Sequence, residues 1–407
     1  MNKQRLFTAS CIALIATAMS FAIRGDIMGD FETIFQLNKT NLGWIAGAAF
    51  WGFGLSIFIG GPLCDVLGMG TIMRVAAAGH IGGTLLTIFA PNFPVLFLAT
   101  VIIGIANGLV EAAINPLVAT IYDREKTAKL TLLHAWFPGG IVIGGVLAFL
   151  FTQIGLGWQA KMLLLLVPSV IYTFMFVGQP FPATERKAAG VPAGEMFREV
   201  LRPLFIVIWV AMWLTAATEL GAGAWYANVF DEVMAGWAGA GILVLVWVNG
   251  IMYLIRQFAG GISHRVSPVA LIGVTAVPAA VGLYVFSVAQ SPVMAFLGTA
   301  LIAIGTAFWW PTMLGITSER FPRTGALGLA IIGGTGSIAT AVAGPVMGHL
   351  NDLYSPRGMY AWWVLLPVAI VAIFGAIYLR DQASGGYRVE HIGGGADARA
   401  KGEHVGA

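Results

Sequence analysis

Charge is what this chain of 407 residues has least of. Asp, Glu, Lys and Arg together make up 10% of it, against about 25% in an ordinary soluble domain. So few ionic side chains cannot cover a water-facing surface, and 58% of the residues are hydrophobic. Mean hydropathy is +0.84. A soluble enzyme is excluded on this ground. A nucleic-acid-binding module is excluded too, since the net charge is only +3. Cysteine is nearly absent. Cys11 and Cys64 lie in or beside apolar runs, make neither a disulfide framework nor a metal-ligand spacing, and read as small packing residues. No G-x-x-x-x-G-K phosphate loop is present, which leaves ATP-driven pumping unsupported. Neither a charged ring nor a selectivity-filter pattern argues for a channel, and the sequence calls for no cofactor and no metal.

What the chain does have is long apolar runs. A membrane-crossing helix needs about 20 mostly apolar residues, and such runs fall near 6–29, 41–63, 71–90, 94–121, 130–153, 158–180, 201–229, 237–262, 268–289, 293–316, 326–349 and 358–380. Twelve spans are predicted, helical because backbone groups in lipid must be satisfied within the segment. The first run follows Met1-Asn-Lys-Gln-Arg5 and has the outline of a secretory signal. It lacks a persuasive small-residue cleavage site and is read as a retained helix.

Lys and Arg set the orientation. Lys3, Arg5, Arg74, Arg124, Lys126, Lys129, Arg186, Lys187, Arg198, Arg202, Arg265, Arg320, Arg323 and Arg380 fall on one side of the predicted membrane. Only Lys39, Lys161 and Arg357 fall on or near the other. Both termini are therefore expected in the cytoplasm, with the chain in the cell's inner membrane.

The Pro-, Ala- and charge-rich stretch 181–200 reads as a linker between an N-terminal bundle, 1–180, and a C-terminal bundle, 201–380. The low-complexity tail 381–407 is expected to be disordered. The halves echo each other. Gly61-Pro-Leu-Cys-Asp65-Val-Leu-Gly68 and Gly260-Gly-Ile-Ser-His264-Arg265-Val-Ser267 end the second helix of each half. Asn115-Pro116 and Trp310-Pro311 share the fourth, and Gly139-Gly140 and Gly333-Gly334 the fifth. A parallel repeat of six helices is a transporter architecture.

The element Gly61-x-x-x-Asp65-x-x-Gly68 resembles the signature loop of the major facilitator superfamily. The basic residues that usually follow are replaced by Val66, Met69 and Gly70, and Arg74 is the expected substitute. Asn107-Gly-Leu-Val-Glu111-Ala-Ala-Ile-Asn115-Pro116, followed by Leu130-Thr-Leu-Leu-His134, resembles helices 4 and 5 of the fucose/glucose/galactose:proton symporter family. The resemblance implies the major facilitator fold and a helix-4 glutamate, here Glu111, in sugar binding or proton coupling. The family's helix-5 glutamine is His134 here, and its helix-1 aspartate is matched to Asp26.

Ionisable groups inside a membrane span are functional candidates by default. Glu111 sits in a Gly- and Ala-rich helix one turn from Asn107 and one turn from Asn115, and the three are expected to share a face. Asp26 is expected either to join the substrate- and proton-binding site or to make a local ion pair or cap, with pairing across helices more natural than with Arg24, and Asp30 is expected to be structural. Glu219, Trp225, Asn249 and Trp310 are expected to line a cavity from the second half, the aromatics by stacking on a sugar ring. Arg256 is expected to brace the cytoplasmic side, His134 to relay a proton or brace a helix, and His80 to pack between helices. Asp65, Arg74, Glu319 and Arg320, at cytoplasmic helix ends, are expected to form gating charge pairs.

The reading is a monomeric secondary transporter, a symporter of a monosaccharide or related small polar solute with a proton, sodium remaining open, by alternating access. Its partners are that solute, the ion and the bilayer. The alternative is an exporter of amphipathic compounds or organic anions on the same fold, with Arg24 or Arg256 as the cationic cavity residue.

Overall fold

The computed structural model describes residues 1–37, 39–223, 225–234, 240–258 and 266–392, and the structural statements below concern these. They are helical almost throughout. The first half holds α1 (Lys3–Ile34), α2 (Lys39–Leu67), α3 (Met69–Ile88), α4 (Phe93–Ile121), α5 (Lys126–Gln153) and α6 (Trp158–Phe176). The second holds α7 (Pro203–Gly221), α8 (Ala240–Gln257), α9 (Pro268–Ser287), α10 (Pro292–Arg320), α11 (Pro322–Tyr354) and α12 (Gly358–Ala383). Among the described residues eleven of these are long and apolar enough to cross a membrane, and α8 supplies a shorter apolar stretch, Val244–Gln257. The Gly260–Arg265 part of the internal repeat lies outside the described residues.

Local chemistry sets the helix limits. Asn92 accepts from Val95 N at 3.2 Å and starts α4, while Ser267 and Ser291 cap α9 and α10 in the same way. Gly68 carries φ +84 between α2 and α3, a conformation that glycine adopts without a Cβ penalty. Prolines accompany interruptions of two helices and sit inside a third. Pro138 follows the interruption of α5 at Ala135, Pro311 follows that of α10 after Thr306, and Pro116 sits within α4.

The halves meet along two seams of small residues, where backbones approach closely. In one, α2 lies on α11, and a Cβ at Gly61 would stand 2.3 Å from that of Ala330. In the other, α5 lies on α8 and α10: Gly139 makes room for the Tyr253 ring and Gly315 for Thr127. The connection at 181–200 contains two short helices, Glu185–Ala188 and Ala193–Val200. It lies at the end of the molecule that holds both helix 1's start and helix 12's end, here called the terminal face.

The described part of the tail, 381–392, departs from expectation. α12 continues to Ala383, past the bundle end expected at 380, and the chain stays packed to Glu390. Tyr387 is buried and donates to Glu319 at 2.7 Å, and Glu390 N donates to the Glu319 carbonyl at 2.7 Å. Burial first, then the Glu319 carboxylate, hold the Tyr387 phenol well above its ordinary range, so it stays a donor. One buried aromatic and one backbone bond to Glu319 order a segment whose composition alone reads as loose.

Candidate functional site

The site is built where two interrupted helices, α5 and α10, meet. A proline has no N–H for the carbonyl four residues back. Pro138 therefore leaves the His134 carbonyl without a helical donor, and Pro311 does the same to that of Ala307. Arg256 of α8 supplies both. Its Nη1 donates to His134 O at 2.7 Å, and its Nε donates to Ala307 O. Its Nη2 reaches Glu219 Oε1 at 3.2 Å. Glu219 is presented by the π-helical turn Ala217–Gly221 that ends α7, a local widening that turns its side chain inward. Arg256 thus spans the seam, touching α5 in the first half and α7 and α10 in the second. The expectation that it braces the cytoplasmic side is corrected: it is 3% exposed and central to the site.

On the first-half side, Asn115 Nδ2 donates to Glu111 Oε2 at 2.9 Å, and His134 Nε2 meets Asn115 Oδ1 at 2.9 Å. His134 Nε2 also stands 3.8 Å from Glu111 Oε2. Glu111 is 3% exposed and His134 2%. A continuous buried chain therefore runs Glu111, Asn115, His134, Arg256, Glu219, with a carboxyl at each end.

Asn107 does not belong to it. Its Oδ1 meets His80 Nε2 at 2.8 Å and its Nδ2 donates to Ser20 Oγ at 2.8 Å, while His80 Nδ1 meets Tyr172 OH at 2.9 Å. This second network ties α3, α4, α6 and α1 together, as expected of a packing His80. The shared face predicted for Asn107 and Glu111 is corrected by helix geometry. Four residues overshoot a full turn by about 40°, so Asn107 and Asn115 diverge by about 80° across two steps.

Other expected site residues lie apart. Asp26 pairs with Lys161 of α6 at 2.5 Å, the cross-helix partnership expected of it. Asn249 Nδ2 donates to the Leu245 carbonyl of its own helix at 2.9 Å. Trp225 packs against Gly348 of α11, and the Trp310 ring fills the space that Gly336 leaves. Trp309 Nε1 donates to Thr275 Oγ1 at 3.0 Å. The tryptophans serve helix packing in this arrangement.

The terminal face is held shut by charges. Glu319 Oε1 accepts from Thr127 N at 3.1 Å and Thr127 Oγ1 at 2.5 Å, across the halves. Lys126 Nζ donates to the Ser318 carbonyl at 3.2 Å and to Glu185 at 2.6 Å. Asp65 accepts from Thr184 and from Arg186, whose Nη2 and Nε stand 2.8 and 3.0 Å from Oδ2. Arg320 pairs with Asp381 within its own half. Arg74 is corrected: it is exposed, donates only to Thr71 Oγ1 at 3.0 Å, and leaves Asp65 to the linker's Arg186. Cys64 also has a role that composition concealed, since its Sγ reaches the Ala112 carbonyl at 3.5 Å, the one that Pro116 strips of a donor.

Two bundles that close on each other over a buried polar chain define a solute transporter, not an enzyme. The model of the Major Facilitator Superfamily matches residues 6–329, and the chain belongs to that family. It is a multi-pass membrane protein. It is 21% identical over 334 residues to a D-xylose transporter of Levilactobacillus brevis, covering 70% of this chain and 73% of that one. Its fold is similar to that of the E. coli fucose:proton symporter FucP, with TM-score 0.76 at 15% identity over 91% of this chain and 98% of that one. It is similar also to the human organic anion transporter MFSD10, with TM-score 0.74 at 13% identity over 92% of this chain and all (100%) of that one.

Proposed function

We propose that this transporter is a proton-coupled symporter of a small polar solute of the sugar class, working by alternating access. The observation that carries the reading is the cross-seam chain from Glu111 to Glu219. Glu111 is a carboxyl with one amide donor and a histidine within reach, removed from water. Adding or removing a proton there changes what Asn115 and His134 must hold. His134 is also the residue whose carbonyl Arg256 grips from the other half. A proton arriving at Glu111 is thereby coupled to the contact that must change when the bundles rock.

The shut terminal face, with its Thr127–Glu319 and Lys126–Ser318 bonds, fits a state closed on the cytoplasmic side, with both termini in the cytoplasm of a cell's inner membrane. The xylose and fucose named for the relatives supply the neutral probes. The test is uptake of labelled D-xylose, L-fucose and D-gluconate into proteoliposomes under an inward acid gradient. Accumulation that fails in Glu111→Gln while counterflow of the same solute survives supports the reading. Accumulation unchanged in Glu111→Gln removes that residue from the mechanism. Accumulation driven by a sodium gradient instead overturns proton coupling, and solute driven outward favours the exporter.

A further inference from the structure

Arg24 is the buried cation that the mechanism above leaves unused. It is 7% exposed and, among the described residues, has no hydrogen-bond or ion-pair partner. Every other deeply buried charge discussed here has one: Asp65, Glu111, Lys126, Lys161, Glu219, Arg256 and Arg320. A guanidinium without a counter-charge in a membrane span is a poor structural element and a good receptor.

Its surroundings place it. Three sides of α1 are taken: Ser20 bonds α4 through Asn107, Ala18 and Ala22 pack on Gly140 and Gly144 of α5, and Asp26 pairs with α6. The remaining face carries Phe21, whose ring meets Phe50 and Phe53 of α2 and Phe137 of α5 and packs against the cluster that Ala330 of the second half joins. One and two turns further on, Gly25 and Gly29 are exposed, with no atom within 4 Å of where a Cβ would be. An open space therefore begins beyond Phe21, away from the terminal face. Arg24, three residues after Phe21, borders it on the α4 side. Thr17 Oγ1 and Ser337 Oγ are sealed orphan atoms, whereas Arg24 keeps 7% of its surface exposed.

Thr17 lies seven residues before Arg24 on the same helical stripe, about 10 Å inward. Ser337 stands across the seam beside Gly54. Both are buried hydroxyls without partners, groups that a polyhydroxy chain could satisfy when the space extends to them.

We propose that Arg24 binds the carboxylate of the transported solute, which is a sugar acid, a polyhydroxy monocarboxylate. The guanidinium fork matches a carboxylate in a bidentate pair. One cation balances one negative charge, so a monocarboxylate fits this poorly hydrated place better than a doubly charged phosphate ester does. The proposal rests on the symport reading for the sugar-like character of the solute, and adds its charge. A proton and a monocarboxylate moving together carry no net charge.

The test is binding of D-gluconate to the purified full-length protein by calorimetry and thermal shift, beside D-glucitol, the same chain with a hydroxymethyl in place of the carboxylate, and D-glucose 6-phosphate. Gluconate is expected to bind and glucitol to bind at least tenfold more weakly. Arg24→Gln is expected to lose gluconate by about tenfold to a hundredfold, Arg24→Lys to keep part of it, and the exposed-site control Arg74→Gln to match wild type. Arg24→Lys also retains the charge should Arg24→Gln fail to fold. Equal binding of glucitol, preference for the phosphate ester, no binding of gluconate, or gluconate binding untouched by both Arg24 variants overturns the assignment. Binding is read without any gradient, so the two readings fail separately. Gluconate held by Arg24 but not accumulated on an acid gradient sinks the symport reading alone. Xylose or fucose accumulated without gluconate binding sinks this one alone.

Discussion

Arg256 of the second half donates to the main-chain carbonyl of His134 in the first, at 2.7 Å, and that carbonyl is free to accept because Pro138 stands four residues after it. The same guanidinium serves Ala307, freed in turn by Pro311. Two helix breaks in opposite halves are thus joined through one side chain, whose charge is balanced by Glu219. The broken helices and the ion pair form a single device, in which the contact between halves is a set of hydrogen bonds that can be exchanged without unfolding either bundle.

Arg256→Gln removes the charge and shortens the reach to both carbonyls, leaving Glu219 buried without its partner. Loss of one member of a buried pair costs about 3–5 kcal/mol, and transport is expected to fall to background. Thermal unfolding of the detergent-purified variant checks the first, and proteoliposome uptake the second. The double variant Arg256→Gln with Glu219→Gln is expected to recover part of the stability and none of the transport.

Pro138→Ala gives residue 138 an N–H aimed at His134 O, in competition with Arg256. A proline inside a helix costs about 3 kcal/mol relative to alanine, so the melting temperature is expected to hold or rise while the transport rate drops. A variant both less stable and fully active contradicts this account of the break.

At the terminal face, Asp65→Asn and Arg186→Gln are expected to impair transport by similar factors, since each empties the same ion pair. Arg74→Gln is expected to match wild type, as its only bond is to Thr71. Initial uptake rates of the three variants at equal membrane abundance decide the matter. A defect confined to Arg74→Gln would restore the signature-loop reading.

Much of this was legible beforehand, and the limits have physical causes. The spans and the pairing of halves follow from hydropathy and repeated Gly and Pro positions, which backbone satisfaction in lipid enforces. Glu111, Asn115 and His134 could be grouped because two lie one helical turn apart and the third carries a family match. Arg256 is not placed by the sequence because two of its partners are main-chain carbonyls, which no side-chain pattern advertises. The signal that finds it is indirect: prolines at 138 and 311 each orphan a carbonyl, and a nearby buried arginine is the natural donor. Arg186 is not legible as the partner of Asp65, because it stands 121 residues on and inside a linker that composition reads as a spacer. Tryptophans 225 and 310 looked like sugar platforms, yet glycines on α11 receive both, a complementarity that exists only in three dimensions.

A Cβ at Gly61 would stand 2.3 Å from that of Ala330 and 2.8 Å from the Ala326 carbonyl oxygen. Gly61→Val is therefore expected to wedge α2 from α11 and open the terminal face. A cysteine introduced as Ala330→Cys, at a position 2% exposed, reports this by maleimide labelling: slow with Gly61 and fast with Val there. Equal labelling would show that the seam yields without opening.

The most direct test of proton coupling at Glu111 is a pH-sensitive dye trapped in proteoliposomes, read as a solute gradient is applied with no pH gradient imposed. Wild type is predicted to acidify the lumen as solute enters. Glu111→Gln is predicted to leave it unchanged while still exchanging labelled solute. Acidification by Glu111→Gln equal to that of wild type, or solute entry by wild type with no proton movement, would contradict the account.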